Sequence, residues 1–217
     1  MNEEIMEDIL KAAKEEFLSL GYIDASMRNI AKKANLTTGS LYYRFLDKAE
    51  MLDAVVGNEA EELLATFKQI QNDFAKKEIK NQINEMTNYT ENGLHILLNY
   101  IYDHYDAFKI IVCKSKGSKY EFYLDSLVDV EVENTYRFIN ELKAKNIKVK
   151  EPSEDLIHIL CTSFFASIFE VVHHDMKKEE ALKYADEIYA FNQAGWSVLL
   201  GLDFKEGLWK KKKYFHV

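Results

Sequence analysis

Residues that stop helices and make tight turns are scarce in this chain. One proline and eight glycines among 217 residues come to about 4%, where soluble chains average about 12%. A sandwich or barrel needs a turn every 8–12 residues or so, usually built with Gly, Pro or Asn-Gly. That architecture is excluded on supply alone, as are collagen-like and Pro/Gly-rich disordered chains. Hydrophobic residues make up 47% and charged residues 29%, enough to bury a real core. The length suits one large domain, or a small one followed by a larger one. The chain reads as all-α.

Two cysteines, Cys113 and Cys161, lie far apart and outside any CxxC spacing, so no disulfide framework is expected. The opening Met1-Asn2-Glu3-Glu4 is acidic and lacks the basic and apolar regions of a signal peptide. The most apolar stretch, Leu156 to Val172, is interrupted by His158, Thr162, Ser163, Ser167 and Glu170. A membrane span needs about 20 predominantly apolar residues, so this stretch reads as a buried helix. A cytoplasmic protein without a membrane partner is expected. The formal charge of −8 counts against nucleic acid unless the charge is unevenly spread.

Ile5, Ile9, Ala13, Phe17 and Leu20 form a ladder at helical spacing, and Gly21 stands where a helix ends. Ser26 is placed to cap a short helix to about Ala34, with Asn35 in a left-handed turn. Thr37 can cap a third helix through about Phe45, and Asp47 a fourth through about Phe74. Further helical patterns cover roughly 79–86, 93–112, 118–145, 154–174 and 178–201. Breaks are expected at 88–92, 114–118 and 145–152. No fixed-period repeat is present, and Lys210–Lys213 reads as a solvated tail.

The two short helices joined by Asn35-Leu36 make a helix-turn-helix candidate, with 37–44 as the recognition helix. A helix entering the major groove presents short polar or aromatic groups near its N-terminus, flanked by phosphate donors. Thr37, Thr38 and Ser40 supply hydroxyls, Gly39 allows close backbone approach, and Tyr42 and Tyr43 supply phenols. Arg28 can reach a base edge or a phosphate, and Lys48 opens the fourth helix, where backbone N–H groups favour an anion. Residues 25–48 hold Arg28, Lys32, Lys33, Arg44 and Lys48 against Asp47, a net of +4, so the remaining 193 residues carry −12. Periodicity and charge alone fit ordinary solvated helix faces equally well.

The full run from Ser26 to Leu52 tilts that balance. Ile30-Ala31, Gly39-Ser40-Leu41-Tyr42, Phe45 and Lys48 to Leu52, preceded by Phe17 and Gly21-Tyr22, closely resemble the TetR family of transcriptional regulators. Asn35 stands where the family usually has Gly, and Ser26 where it more often has Thr; both keep the turn and the cap. The resemblance covers about the first 55 residues. It implies an all-α homodimer, with a three-helix DNA-binding domain at 1–47 and an effector-binding and dimerisation domain at 48–217. It further implies repression at a near-palindromic operator, half-site spacing of about 34–36 Å, and release when an effector tilts the fourth helix. By position, Ser26, Tyr42 and Lys48 would bind phosphate, Arg28, Thr38, Gly39 and Ser40 would face bases, and Tyr43 would do either.

Two segments beyond residue 150 are apolar on more than one face and need cover on nearly all sides. A four-helix dimer interface using Phe169, Val172, Phe191, Ala194, Trp196 and Val198 is one answer; a purely intrachain core is the other. The aromatic-rich stretch 89–138 suggests an apolar ligand pocket lined partly by Tyr100, Tyr123, Phe164 and Phe165, although core and surface aromatics look the same in sequence. His158 and Cys161 share a helical face, but His173-His174-Asp175 lies over 20 Å further along, so no metal site is expected. Cys161 has no neighbouring base and is not read as a nucleophile. No cofactor motif is present. Double-stranded operator DNA, a second copy of the chain and a small apolar or aromatic effector are the expected partners. The competing reading is a helix-turn-helix co-regulator governed by a protein partner, with a filled interior. A helical enzyme would need clustered titratable groups, and the sequence offers none.

Overall fold

The computed structural model describes residues 3–202, apart from the side chains of residues 87–89; the Lys210–Lys213 run lies outside the described residues. Every regular element described is a helix: α1 (Glu3–Asp24), α2 (Met27–Lys33), α3 (Thr38–Tyr42), α4 (Lys48–Ala75), α5 (Ile79–Asp103), α6 (Tyr105–Cys113), α7 (Tyr123–Ala144), α8 (Glu154–His173) and α9 (Lys178–Leu200). The all-α expectation holds.

The chain divides into two compact units. One takes the residues up to Leu63 together with Ile101–Tyr123, and the other takes Leu64–Tyr100 and the residues from Leu124 on. All three crossings fall within helices, in α4, α5 and at the start of α7. In the first unit, Ile9, Ala13 and Phe17 of α1 are buried with Ile30, Leu41, Met51, Leu52, Phe108 and Ile111. α1 kinks at Gly21 (φ 76°, ψ 170°), and the next amide, Tyr22 N–H, donates to the Lys114 carbonyl beyond α6 at 2.7 Å. In the second unit, α8 packs on α9 and buries Ile157, Cys161, Phe165, Ile168, Phe169, Val171 and Val172. By length and composition α8 is apolar enough to cross a membrane, and this buried face is what its apolar residues serve here.

Helix ends account for the missing glycines. Asn35, Asn146 and Asp175 adopt positive φ of 55°, 57° and 50° just past α2, α7 and α8. Behind each, paired backbone bonds close the last turn: Leu36 N–H to Ala31, Ile147 N–H to Leu142 and Met176 N–H to Val171, at 2.8, 2.9 and 3.0 Å. This is the left-handed closure usually assigned to glycine, here made with short polar side chains.

Beyond residue 75, three boundaries differ from the sequence expectation; before it, α1 runs past Gly21 to Asp24 and α3 ends at Tyr42 rather than Phe45. α5 runs unbroken through 88–92, and an ideal Cβ at Gly93 would stand 3.0 Å from Ile70, so this glycine serves helix packing rather than a turn. The segment expected at 93–112 is interrupted at His104 (φ −120°, ψ 38°), just after the chain re-enters the first unit, whose core takes Phe108, Ile110 and Ile111. α7 starts at Tyr123 rather than 118, because Glu121 accepts from Gly117 N–H and Ser118 Oγ from Tyr120 N–H, holding 115–122 in turns.

Candidate nucleic-acid interface and interior cavity

α2 and α3 meet through the left-handed Asn35. Thr37 (φ −76°, ψ 152°) caps α3, its Oγ1 accepting from Ser40 N–H at 3.1 Å, and the turn continues to Phe45 N–H on the Leu41 carbonyl. Ser26, Arg28, Thr37 and Thr38 come together along one shallow groove with Asn29, Lys32 and Leu36. Ser26 precedes α2 in extended conformation, but its hydroxyl caps nothing, which corrects the expected side-chain cap and leaves the group unengaged. Arg28 and Lys32 are exposed and make no ion pair among the described residues. Tyr43 is 90% exposed and Tyr42 about half exposed. A Cβ built on Gly39 would meet nothing within 4 Å, so the fold itself gives no reason for a glycine there.

Two of the expected contact residues, Ser40 and Lys48, are also engaged inside the fold. Arg44 Nη1 binds the Ser40 carbonyl at 2.8 Å and the Ser40 hydroxyl at 3.1 Å, steadying a side chain at the centre of α3. Lys48 Nζ donates to the Ile23 and Ala25 carbonyls at 2.7 and 3.1 Å and lies over the Tyr22 ring. The ammonium therefore ties the start of α4 to the end of α1 and keeps one of its three donors for another acceptor.

The second unit holds a partly open cavity of about 160 Å³ walled by α4, α5, α7, α8 and α9, with Phe67, Leu94, Phe138, Phe164, Phe165 and Trp196 among its apolar lining. Of the four residues expected to line a ligand pocket, Phe164 and Phe165 line this cavity. Tyr100 and Tyr123 do not line it: Tyr123 is buried in the first unit, its hydroxyl donating to the Ala60 carbonyl at 2.8 Å. Glu131 reaches the cavity from α7 and accepts from Gln71 Nε2 at 2.6 Å. Burial pushes its carboxyl up to about 7 against the pull of that hydrogen bond. Burial, reinforced by the Glu131 charge, pushes the Cys161 thiol up to about 12, so it stays an inert neutral group.

The apolar helices sort differently from the expected interface. Phe169 and Val172 are buried within the protomer and so are not available to a partner, while Trp196 is half-buried and lines the cavity. Phe191, Ala194 and Val198 are exposed along one face of α9, Phe191 by 77% and Val198 by 74%. Cys161 is buried while His158 is exposed, and His174 pairs with Glu170 at 3.0 Å. Elsewhere in this unit, Glu91 and His95 of α5 meet Asp186 of α9 with ligand atoms within 4.8 Å, and His95 Nε2 lies 2.6 Å from Asp186.

Residues 9–55 match the family model of the bacterial regulatory proteins, tetR family. This segment is a TetR-family DNA-binding domain. Over 61 residues, 28% of this chain and 31% of the relative, it is 36% identical to the HTH-type transcriptional regulator UidR of Escherichia coli K12. Over 65 residues, 30% of each chain, it is 38% identical to the HTH-type transcriptional regulator SrpR of Pseudomonas putida. The match thus spans about a third of the length of these relatives. The fold as a whole is similar to SmeT, the repressor of the Stenotrophomonas maltophilia multidrug efflux pump SmeDEF, at 15% identity with TM-score 0.59 over 93% of each chain. It is similar also to the SmeT–triclosan complex, at 16% identity with TM-score 0.57 over 88% of this chain and 91% of that one.

Within the TetR-family domain one organising residue escaped the sequence reading. Glu16, on the inner face of α1, is 2% exposed and accepts from Asn29 Nδ2 at 3.0 Å, Lys33 Nζ at 2.9 Å and Ser26 N–H at 3.4 Å. One carboxylate thereby fixes both ends of α2. Burial pushes its carboxyl up, but the Lys33 and Asn29 hydrogen bonds, the Lys33 charge and the Ser26 amide outweigh this and hold it below the ordinary value. Asn29 and Lys33, four apart on α2, were the available hint, but a glutamate on an apolar face has no signature of its own.

Proposed function

We propose that this protein is a dimeric DNA-binding transcriptional repressor, acting in the cytoplasm and released from its operator by a small apolar or aromatic molecule held in the cavity of the second unit. The observation that carries the DNA-binding part is the tetR-family match at residues 9–55 on a helix-turn-helix with outward-facing contact groups. Arg28, Lys32, Tyr42 and Tyr43 are exposed, the Ser26 hydroxyl caps nothing and Gly39 is bare, which suits a surface that meets a phosphate backbone and base edges. Ser26, Tyr42 and Lys48 bind phosphate in this reading; Arg28, Thr38, Gly39 and Ser40 read bases with help from Thr37 and Tyr43. Dimerisation through the exposed α9 face, joined by Ile159 and Ala166 of α8, buries the largest apolar side chains left at that surface. SmeT, a fold relative, is a repressor with a triclosan complex, and the cavity offers a smaller molecule a place here. The cavity also favours this reading over control by a protein partner, which calls for a filled interior.

A gel-shift assay with DNA from upstream of the protein's own gene tests the proposal. A sequence-specific shift is expected, weakening steeply with salt and lost in Tyr42→Ala and Arg28→Ala proteins that melt like wild type. No specific shift on any such DNA rejects it.

A further inference from the structure

The cavity is not uniformly apolar, and its one unbalanced group narrows what it can hold. Among the polar groups at its wall, Gln71, Asn134, Thr135, Asn192 and Gln193 are neutral. Arg137 is exposed, and its guanidinium is spent on the Gln71 carbonyl at 3.2 Å, the Asn72 side chain at 3.3 Å and Asn134. Glu141 accepts from Gln82 Nε2 at 3.0 Å. Glu131 has one hydrogen bond, from Gln71, and no lysine, arginine or histidine pairs with it among the described residues. A carboxylate has room for about four acceptor bonds, so most of its capacity is unused. A lone carboxylate in low-dielectric surroundings is costly unless a positive charge joins it or a proton neutralises it.

We infer that the cavity takes a small aromatic or apolar molecule carrying one protonated amine, whose N–H groups pair with Glu131 while its apolar body lies among Phe67, Phe164, Phe165 and Trp196. A neutral ligand of the same shape leaves the carboxyl without a partner, and an anionic one meets a like charge where solvent screening is weak. Burial has already raised the carboxyl to about 7, so an incoming cation has a group poised to ionise against it. A cavity of about 150 Å³ accepts a benzene-sized ring, so one ring with a short chain is the scale to expect. The inference rests on the cavity being the effector site and specifies the chemistry of its ligand.

The test uses three molecules of one shape: 2-phenylethylamine, 2-phenylethanol and phenylacetate. Binding to the full chain is followed by calorimetry, with the fluorescence of Trp196 in a Trp209→Phe protein as a second signal. The amine is expected to bind at least tenfold more tightly than the alcohol, and phenylacetate weakest of all. Glu131→Gln keeps the shape and can still bond Gln71; it should bring amine and alcohol to similar affinity by weakening the amine alone. Equal binding of amine and alcohol by wild type, or an amine preference that survives Glu131→Gln, overturns the inference while leaving the cavity as an effector site. Failure of all three to bind overturns the inference and the cavity's role together, whereas DNA binding is judged separately by the gel shift.

Discussion

Two glutamates, buried Glu16 and half-buried Glu131, set opposite pH trends. Glu16 is held below the ordinary carboxyl value, so its stabilisation is present above the unfolded value and is lost as the pH falls through the lower folded one. Glu16→Gln should therefore cost about 1–3 kcal/mol at pH 7, read by urea denaturation, with the gap to wild type closing below about pH 4. Glu131 is raised to about 7, so stability is greatest while it is protonated and declines as the pH climbs through that value. Glu131→Gln in the ligand-free protein should gain up to about 3 kcal/mol at pH 8 and almost nothing at pH 4.5. Identical pH profiles for the two variants would show that neither carboxyl titrates as its surroundings dictate. The helical glycines make another residue-scale contrast. A Cβ at Gly57 would stand 2.8 Å from Asp53 Oδ1 and 3.0 Å from the Tyr120 hydroxyl that bonds Asp53, whereas Gly39 and Gly195 have open space. Gly57→Ala should lower the melting temperature despite its better helix propensity, and Gly39→Ala should leave it unchanged or raised. Gly39→Ala should instead weaken the gel shift.

At the scale of elements, what was legible in sequence was local. The apolar ladder of α1, the left-handed Asn35, the Thr37 cap and the Asp47 cap, whose Oδ1 accepts from Glu50 N–H at 2.8 Å, all depend on neighbours within a few positions. The misplaced boundaries depend on distant chain: Ile70 filling the space beside Gly93, or the first unit's core drawing α6 away from α5. The candidate site divides the same way. The groups proposed to face DNA sit on one short segment and announce themselves by spacing. The cavity does not, because its wall is assembled from five helices and its decisive group, Glu131, looks like any other acid on an amphipathic helix. Aromatic abundance pointed to Tyr100 and Tyr123, which the fold uses elsewhere. The junction ahead of α2 is held from two directions, by Lys114 on Tyr22 and by Lys48 on Ile23 and Ala25. Lys48→Met should lower the melting temperature by a few degrees as well as weaken DNA binding, whereas Arg28→Ala should touch binding alone.

For the whole molecule, the charge of −8 is an average over a basic segment and an acidic remainder, and the structure trims the basic part further. Lys33 is neutralised by Glu16, and Arg44 and Lys48 are engaged within the fold, leaving Arg28 and Lys32 as the unpaired cations of that segment. In the proposed dimer the exposed α9 face carries the assembly. Phe191→Glu should yield a folded monomer by sedimentation, because the side chain is 77% exposed and its loss opens no cavity, whereas Phe169→Glu should not fold. A Phe191→Glu protein that still sediments as a dimer would move the interface elsewhere. The three crossings between the compact units, all within helices, carry one more consequence. A loop absorbs an inserted residue by bulging, but an α-helix turns everything beyond the insertion by about 100° and advances it by about 1.5 Å. Residues 60–66 of α4 are thus a spacer with a phase as well as a length. One alanine added there should disrupt function far more than one added at 145–153, and four, close to a whole turn, should do less harm than two.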